Sequence, residues 1–286
     1  MKMCTALTYQ AKAHYFGRNL DLEYSYPETV TITPRGYRYP HCRLSPPQYA
    51  MIGVAYVVDG MPLYYDAMNE KGLAAAGLRF DAVYGRAEAD HTDLAAFEVI
   101  PFLLGQCADL QEAQEALREC SITSRAFSHS LPAAPLHWLI ADSDGSITLE
   151  CTADGMRVEP NEIGVLTNNP GFEYQQTHLR QFLSLSSHTP SNTFAKGLKL
   201  SPYSLGMGSM GLPGDYSSTS RFVRAAFVKW NALSASTEAE SVSQFFHILE
   251  QVTQVRGCTQ VRENEYEFTR YSACCNLDEG IYYYRT

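Results

Sequence analysis

The sequence contains no run of five or more basic residues, and its 22 Lys and Arg against 31 Asp and Glu give a net charge of −9. Nucleic acids and anionic membrane surfaces are therefore poor partners for this chain. No apolar stretch approaches the roughly 18–20 residues of a membrane span, and the N-terminus lacks the apolar core of a signal peptide. These absences predict a cytoplasmic location, with neither a nucleic acid nor a membrane as partner.

Metal and disulfide patterns are also absent. The eight cysteines form no CxxC pair and show no regular spacing, which predicts reduced thiols in a chain without an export signal. No His and carboxylate cluster has the spacing of metal ligands. His137 and His247 lie in apolar stretches, which favours hydrogen-bonded core histidines over ligands. We therefore expect neither a metal nor another cofactor.

The pattern of apolar residues predicts strands and helices that alternate in blocks along one domain, residues 1–286. Short turns such as Asp59-Gly60 join neighbouring strand-like runs, so antiparallel hairpins are favoured over parallel βαβ units. Asp93 is predicted to cap a helix that runs to residue 104 and that Pro101 kinks or ends. The other predicted helices are 110–117, 172–183, 222–230 and 242–252, and the predicted strands are 4–9, 14–20, 29–33, 51–58, 63–66, 73–80, 137–141, 146–151, 156–159, 164–167, 266–273 and 280–285.

Cys4 is the most informative single residue. If the mature chain begins there, one residue carries both a thiol and a free α-amine, whose pKa is about 7.7–8.0. Cysteine is a strong nucleophile, and an adjacent base activates it further. A cysteine near a terminus is also commonly just a small buried apolar residue. Position alone leaves both interpretations open.

Five short motifs follow one another along the chain. They are Cys4-Thr5-Ala6, Phe16-Gly17-Arg18-Asn19-Leu20-Asp21, Met68-Asn69-Glu70-Lys71-Gly72-Leu73, Gly164-Val165-Leu166-Thr167-Asn168-Asn169-Pro170, and Gly211-Leu212-Pro213-Gly214-Asp215 with Ser220-Arg221-Phe222. In this order they resemble the choloylglycine hydrolase family, which contains bile salt hydrolases and penicillin V acylases. The resemblance implies an α+β fold, the αββα sandwich of N-terminal nucleophile hydrolases with two packed antiparallel sheets, and hydrolysis of an amide by the first residue of the mature chain.

The resemblance also implies a set of catalytic residues, namely Cys4, Arg18, Asp21, Arg79, Asn168 and Arg221. The sulfur of Cys4 attacks the amide carbonyl and its own α-amine relays the proton. Asp21 is expected to hold that amine by a charge-assisted hydrogen bond. The positive charges of Arg18 and Arg221 are expected to favour the thiolate.

An oxyanion site follows from two further positions. Asn168 is expected to donate a side-chain N–H to the oxyanion. The position of Arg79 contributes a backbone N–H, which any residue except proline can supply. Ordinary roles remain open for these residues. Arg18 and Asp21 could form a surface salt bridge, Asn168 could be a turn residue, and Arg221 could begin a solvated helix face. Asp215 is interpreted as a turn residue.

The expected substrate is a conjugated bile salt. The segments 24–34, 131–138 and 272–275 look more like bile salt hydrolases than penicillin acylases. A steroid acyl group needs a wide apolar pocket with few polar anchors. Arg79 is a candidate to bind the anionic end of the leaving glycine or taurine. The expected pocket walls are Leu20, Tyr24, Tyr26, Met61, Tyr65 and Phe127.

Three departures from the family pattern leave alternatives open. Met1-Lys2 precedes Met3, so residues 1–3 are expected to be removed. Arg79 stands where bile salt hydrolases carry Asn and penicillin V acylases commonly carry Tyr. The C-terminal family extension is absent, which is expected to expose a sheet edge and weaken folding. The alternatives are a penicillin V acylase and an inactive ligand-binding relic. By the same resemblance we expect a homo-oligomer, specifically a tetramer.

Overall fold

Two antiparallel sheets lie face to face in the structure, a computed structural model that describes residues 3–40, 42–87, 90–234 and 236–286. The strands are β1 (Cys4–Gln10), β2 (His14–Leu22), β3 (Thr29–Thr33), β4 (Met51–Val58), β5 (Met61–Asn69), β6 (Ala74–Arg79), β7 (Thr92–Ala95), β8 (Cys120–Thr123), β9 (Leu136–Ala141), β10 (Ser146–Thr152), β11 (Gly155–Pro160), β12 (Val165–Leu166), β13 (Thr259–Arg262), β14 (Glu265–Asn276) and β15 (Ile281–Arg285). The helices are α1 (Val99–Gln106), α2 (Leu110–Arg118), α3 (Phe172–Leu179), α4 (Ser218–Asn231) and α5 (Glu238–Glu250), with 3₁₀ turns at Ala96–Glu98, Arg180–Phe182 and Met207–Ser209.

The first sheet has the strand order β12-β1-β2-β14-β13, and β15 also pairs with β14. The second sheet has the order β11-β10-β9-β6-β5-β4-β3. Neighbouring strands within both sheets are antiparallel. The predicted preference for antiparallel hairpins is therefore confirmed in the two large sheets.

Strand β6 shows why the sheets stack. Successive side chains of a strand point to opposite faces. Ala74, Ala76 and Leu78 join the core shared with β1 and β2, whereas Ala75 packs with residues of α1. The strand is thus buried on both sides, and its small side chains allow close approach from each side.

Helices cover the outer faces of the sandwich. α1 lies against β5 and β6, while α4 contacts β1 and β12 and α5 contacts β14 and β2. The layer order is helix, sheet, sheet, helix, so the predicted αββα sandwich is confirmed. None of the helices within the described ranges combines the length and apolar character that a membrane crossing requires.

Gly17 brings β14 close to the site strand β2. A Cβ at this position would lie 2.0 Å from the carbonyl oxygen of Ala273, so any larger side chain would push the two strands apart. Gly17 pairs with Cys274, and Asp21 pairs with Thr269 beyond a register shift between Thr269 and Tyr271. The glycine between Phe16 and Arg18 therefore keeps β14 beside the predicted catalytic residues of β2.

The chain from 92 to 106 differs from its prediction. Asp93 does not cap a helix, because it lies in β7, which pairs in parallel with β8. α1 begins only at Val99, so Pro101 lies in its first turn. Backbone N–H groups of a first turn have no intrahelical acceptor, so proline costs no hydrogen bond there. The helix continues past Pro101 to Gln106, so Pro101 does not end it. Strands β7, β8 and β13 were not predicted.

The two histidines have different outcomes. His137 is fully buried and hydrogen-bonded, as predicted. The prediction for His247 is wrong, because its side chain is 63% exposed and pairs with Glu250 at 2.8 Å. α5 turns Phe245 and Leu249 toward the core, which leaves position 247 on the solvent side of the helix.

Candidate active site

Cys4 is the first residue of β1 and is only 3% exposed. It pairs with Leu20 on β2. Its backbone N–H donates to Asn168 Oδ1 at 2.8 Å, and its carbonyl oxygen accepts from Arg221 Nη1 at 2.5 Å. Residues from β1, from the segment after β12 and from α4 therefore meet at the start of β1.

Arg221 lies in the first turns of α4 and is fully buried. Its Nη2 donates to Asn168 Oδ1 at 2.8 Å and its Nη1 donates to Thr5 Oγ1 at 2.7 Å. The interpretation of Arg221 as part of a solvated helix face is thus wrong. Asp215 accepts hydrogen bonds from Ser217 N–H and from the Ser220 hydroxyl just before the helix, which confirms its role as a turn residue.

Arg18 points from β2 toward the second sheet. Its Nη1 donates to the carbonyl oxygens of Tyr65 at 2.9 Å and of Gly77 at 2.6 Å, while its Nη2 has no hydrogen-bond partner among the described residues. Arg18 and Asp21 are both fully buried. The interpretation of the two residues as a surface salt bridge is therefore wrong.

Asp21 is a buried carboxyl group with one partner. Its Oδ1 accepts from the Thr269 hydroxyl at 2.6 Å, and its Oδ2 has no partner among the described residues. Burial raises the pKa of Asp21 to about 6, against the opposing effects of Arg221, the Thr269 hydroxyl and Arg18. In the chain that carries Met3, the single N–H of Cys4 goes to Asn168 and not to Asp21.

The Cys4 thiol has a raised pKa. Burial is the main cause, and the charge of Arg18 and a backbone hydrogen bond from Asp21 oppose it. The charges of Asp21 and Glu267 raise the pKa further. The predicted thiolate-favouring effect of Arg18 is present, but burial outweighs it. A thiol in this environment needs a base to accept its proton during attack.

Asn168 has a defined side-chain orientation. Its Oδ1 accepts from both Cys4 and Arg221, and its Nδ2 donates to the carbonyl oxygen of Arg79 at 2.7 Å. An amide nitrogen carries two hydrogens, so one remains for another acceptor. Phe80 N–H donates to Pro135 on the β9 side, and alternation along the strand directs the Arg79 N–H to the opposite side.

The Arg79 side chain leaves the cluster. It is 35% exposed, and its Nη2 lies 3.8 Å from Asp81 Oδ1. The hydrogen bond from Asn168 goes to the backbone carbonyl oxygen of Arg79, and the guanidinium lies partly exposed near Asp81. The suggested role of Arg79 in binding the anionic end of the leaving group stays a prediction.

The predicted pocket walls divide into two groups. Leu20, Tyr26 and Tyr65 pack in or against the same core as Cys4, and Tyr26 contacts the Tyr24 hydroxyl at 2.5 Å. Phe127 packs instead on Phe97, with ring centroids 5.3 Å apart.

Met61 is fully buried and Leu20 is 2% exposed. A ligand would therefore reach these two side chains only after their neighbours moved. A cavity of about 620 Å³ lies at the far end of β1, between Gln10, Asp142 and Lys229, and Cys4 does not line it. The predicted walls thus stay a prediction.

One buried residue of the site was not predicted. Glu267 on β14 accepts a hydrogen bond from the backbone N–H of Met3 and is fully buried. A lone acidic residue inside a β-prone run was the available signal for Glu267.

Within the described ranges, no group of three or more His, Cys, Asp and Glu side chains is placed to hold a metal ion.

Comparison with known proteins relates this site to one family. A family model described as linear amide C–N hydrolases, choloylglycine hydrolase family, matches residues 4–286. The chain is 50% identical over 288 residues to a bile salt hydrolase/transferase of Lactiplantibacillus plantarum, which covers 99% of this chain and 89% of the relative. It is 34% identical to a bile salt hydrolase/transferase of Clostridium perfringens, with 99% and 89% covered.

Solved structures give the same relationship. An alanine variant of the conjugated bile acid hydrolase from Clostridium perfringens matches with a TM-score of 0.91 at 34% identity, over 99% of this chain and 89% of that chain. Penicillin V acylase from Agrobacterium tumefaciens matches with a TM-score of 0.78 at 20% identity, over 99% and 83%, which shows a common fold only. The chain belongs to the choloylglycine hydrolase family of linear amide C–N hydrolases.

Proposed function

We propose that this protein hydrolyses the amide bond of glycine- or taurine-conjugated bile salts, with Cys4 as nucleophile after residues 1–3 are removed. The main support is the 50% identity to the Lactiplantibacillus plantarum bile salt hydrolase/transferase over nearly the whole chain. The second support is the buried cluster of Cys4 with Asn168 and Arg221.

The proposed reaction begins with the thiol. Sγ of Cys4 attacks the amide carbonyl carbon while its proton passes to the α-amine of the same residue. The oxyanion of the tetrahedral intermediate accepts from Asn168 Nδ2 and from the backbone N–H of Arg79. As the C–N bond breaks, the α-ammonium returns its proton to the leaving amine and a thioester remains on Cys4. Water then attacks this thioester while the α-amine takes a proton from it, the C–S bond breaks to release the free bile acid, and the proton returns from the α-ammonium to Sγ.

The remaining residues would set the charge and geometry of this centre. Arg18 supplies the positive charge that opposes the rise in thiol pKa caused by burial. Arg221 holds both Asn168 and the Cys4 carbonyl oxygen, so it fixes the position of the oxyanion donor relative to the sulfur. Asp21 offers its unpaired Oδ2 to the α-amine.

The expected pocket is apolar with few anchors. Tyr24, Tyr26 and Tyr65 would contact the steroid, and Arg79 would pair with the anionic end of glycine or taurine. Leu20, Met61 and Phe127 complete the proposed walls, which requires some side-chain movement around the two most buried of these residues.

The nucleophile is tested by substitution. Mass spectrometry should show a chain that begins at Cys4, and Cys4→Ala should abolish release of glycine and taurine. Cys258→Ala is the matched control, because Cys258 is an exposed free cysteine and its loss should leave hydrolysis intact. Undiminished hydrolysis by Cys4→Ala would contradict the mechanism.

The alternative functions have separate tests. A kcat/KM for phenoxymethylpenicillin well above that for glycocholate would favour the penicillin V acylase. An inactive binding protein would leave Cys4 alkylated no faster than the other seven cysteines at neutral pH, with residues 1–3 still attached.

We also propose acyl transfer by the same thioester. Any amine that fits the leaving-group site can replace water, and an amino acid must fit there because glycine leaves from it. Incubation of glycocholate with a millimolar excess of a second amino acid should give a new conjugate by mass spectrometry. Formation of free cholate alone, at a pH where the acceptor amine is unprotonated, would contradict acyl transfer.

A homo-oligomer, specifically a tetramer, is proposed as the working assembly. Its support is the segment 183–210, where many large apolar side chains are more than half exposed. They are Leu183, Phe194, Leu198, Leu200, Tyr203, Leu205 and Met210. Light scattering should give a mass near four chains, and Leu205→Ser should lower it. A monomer at micromolar concentration would contradict this assembly.

A further inference from the structure

Glu267 is a buried carboxyl group that the proposed reaction does not use. It lies on β14 with no exposed surface, and its Oε1 accepts from the backbone N–H of Met3. Met3 immediately precedes the proposed nucleophile. The carboxyl group of Glu267 therefore accepts from the peptide nitrogen one residue before the nitrogen that would become the α-amine of the mature chain.

Donors and acceptors around this backbone are not balanced while Met3 is attached. Asp21 Oδ2 and Glu267 Oε2 are both buried without a hydrogen-bond partner among the described residues. The peptide nitrogen of Cys4 carries a single hydrogen, and Asn168 Oδ1 accepts it. Buried polar groups in proteins are nearly always paired. Both oxygens belong to residues whose charges act on Cys4, which indicates a site built for a group with more hydrogens than one peptide N–H.

An α-ammonium group has three hydrogens where the peptide has one. We propose that Glu267 is a positioning residue that, together with Asp21 and Asn168, holds the α-amine of Cys4 once residues 1–3 have been removed. This inference rests on the proposed function, because it requires Cys4 to become the N-terminal residue. Glu267 acts through the amine and does not touch the substrate.

Ionisable groups from three parts of the fold interact electrostatically with Glu267. They are Cys4 on β1, Asp21 on β2 with Glu23 just after it, and Arg221 on α4. Burial raises the pKa of Glu267 to about 8, the Met3 hydrogen bond and Arg221 lower it, and Asp21 and Glu23 raise it. A positive α-ammonium in place of the Met3 peptide would favour the carboxylate. The carboxylate in turn would stabilise the ammonium form of the amine.

The test compares Glu267→Gln with Glu265→Gln. Glu265 lies on the same strand but is exposed, so it controls for loss of a charge. Loss of the carboxylate should lower the amine pKa, and the acidic limb of the kcat/KM profile for glycocholate should move down by about one pH unit. The maximum of kcat/KM should fall about tenfold. Glu265→Gln should match the parent.

Glu267→Asp keeps the charge and serves as the conservative variant. Its acidic limb should return toward that of the parent, and it supplies the comparison if Glu267→Gln does not fold. Intact mass must show that each chain begins at Cys4. If the pH profiles of kcat/KM for trimmed Glu267→Gln and Glu267→Asp both superimpose on that of the parent, the role proposed for Glu267 is overturned. The proposed hydrolysis by Cys4 would not be affected by that result.

Two other outcomes also overturn the inference. If only Glu267→Gln retains residues 1–3, the carboxyl group serves the leader segment and not the amine. If the parent is active with Met3 still attached, the N-terminal nucleophile of the proposed function fails as well. Intact mass distinguishes these two cases from an unmoved profile.

Discussion

Two buried polar clusters lie on either side of the segment that follows β12. In the first, His137 Nδ1 lies 2.8 Å from Glu150 Oε1, and His137 Nε2 lies 2.8 Å from the carbonyl oxygen of Thr167. The backbone N–H of Phe172 donates to both Glu150 oxygens, at 3.1 and 3.2 Å. Each polar side-chain atom of this pair has a partner, as expected of a structural cluster.

The Cys4 cluster is equally buried but is not satisfied. Arg18 Nη2, Asp21 Oδ2 and Glu267 Oε2 have no hydrogen-bond partner among the described residues. The extent of burial therefore does not distinguish the two clusters. They differ in whether each buried donor and acceptor has a hydrogen-bond partner. Unpaired buried groups cost stability, so their concentration around one cysteine indicates a site that is completed by another chemical group.

The two clusters are also connected. Thr167 accepts the hydrogen bond from His137 through its carbonyl oxygen, and the next residue, Asn168, accepts from Cys4. The satisfied cluster thus fixes the backbone that presents the amide of Asn168 to the unsatisfied one.

Removing Asn168 should have the largest effect on activity. Asn168→Ala deletes the proposed oxyanion donor and the acceptor for Cys4 and Arg221, so kcat for glycocholate should fall about 10²–10³-fold. Asn231→Ala, at the exposed end of α4, is the matched control. A kcat for Asn168→Ala within about threefold of the parent would mean that the unsatisfied cluster is not the oxyanion site.

Three residues named from the sequence, Cys4, Asn168 and Arg221, lie together in the structure, whereas only one residue of the satisfied cluster was named, for different reasons. The motifs around Cys4, Arg18 and Asn168 are short and local, so their resemblance to a family could be read directly. His137 was predicted only as a hydrogen-bonded core residue, because its partner Glu150 lies on the next strand.

Glu267 could not be predicted because its partner is distant. Met3 and Glu267 are 264 positions apart in the chain, and no local pattern joins them. The register of β14 against β2 shifts between Thr269 and Tyr271, so simple alternation does not give the buried face of the strand. Asp93 was misassigned for a similar reason, since the pairing of β7 with β8 overrides its helix-capping preference.

In the chain that retains Met3, the unsatisfied cluster should make the free energy of unfolding depend on pH through Asp21. Asp21 has a pKa raised from 3.8 to about 6, so the native state binds its proton more tightly than the unfolded state. Its contribution to stability is present below pH 4 and is lost as pH rises through 6. Asp21→Asn should abolish this loss of stability, which amounts to about 2–3 kcal/mol in the free energy of unfolding.

Urea unfolding of the parent and Asp21→Asn at pH 4 and pH 7 measures the Asp21 effect. The two proteins should be close at pH 4, and the asparagine variant should be more stable at pH 7. In trimmed protein the difference should shrink, because the α-ammonium compensates the carboxylate. Equal pH dependence of the two untrimmed proteins would show that Asp21 titrates normally.

Disrupting the satisfied cluster should lower the free energy of unfolding and leave kcat nearly unchanged. His137→Gln cannot reproduce both imidazole contacts, so Glu150 or Thr167 loses a buried partner, at a cost of about 1–3 kcal/mol in the free energy of unfolding. His247→Gln is the matched control on an exposed site and should change stability by less than about 0.5 kcal/mol.

The kcat of folded His137→Gln should stay within about threefold of the parent, because the hydrogen bonds of His137 go to Glu150 and Thr167 and its ring stacks on Phe80, so it acts on the site through neighbouring residues. Urea unfolding and kcat for glycocholate, measured on the same preparation, separate the two effects. A fall in kcat of about a hundredfold without loss of stability would be the reverse of this expectation. In that case the donor and acceptor balance would not distinguish a structural cluster from a catalytic one in this protein.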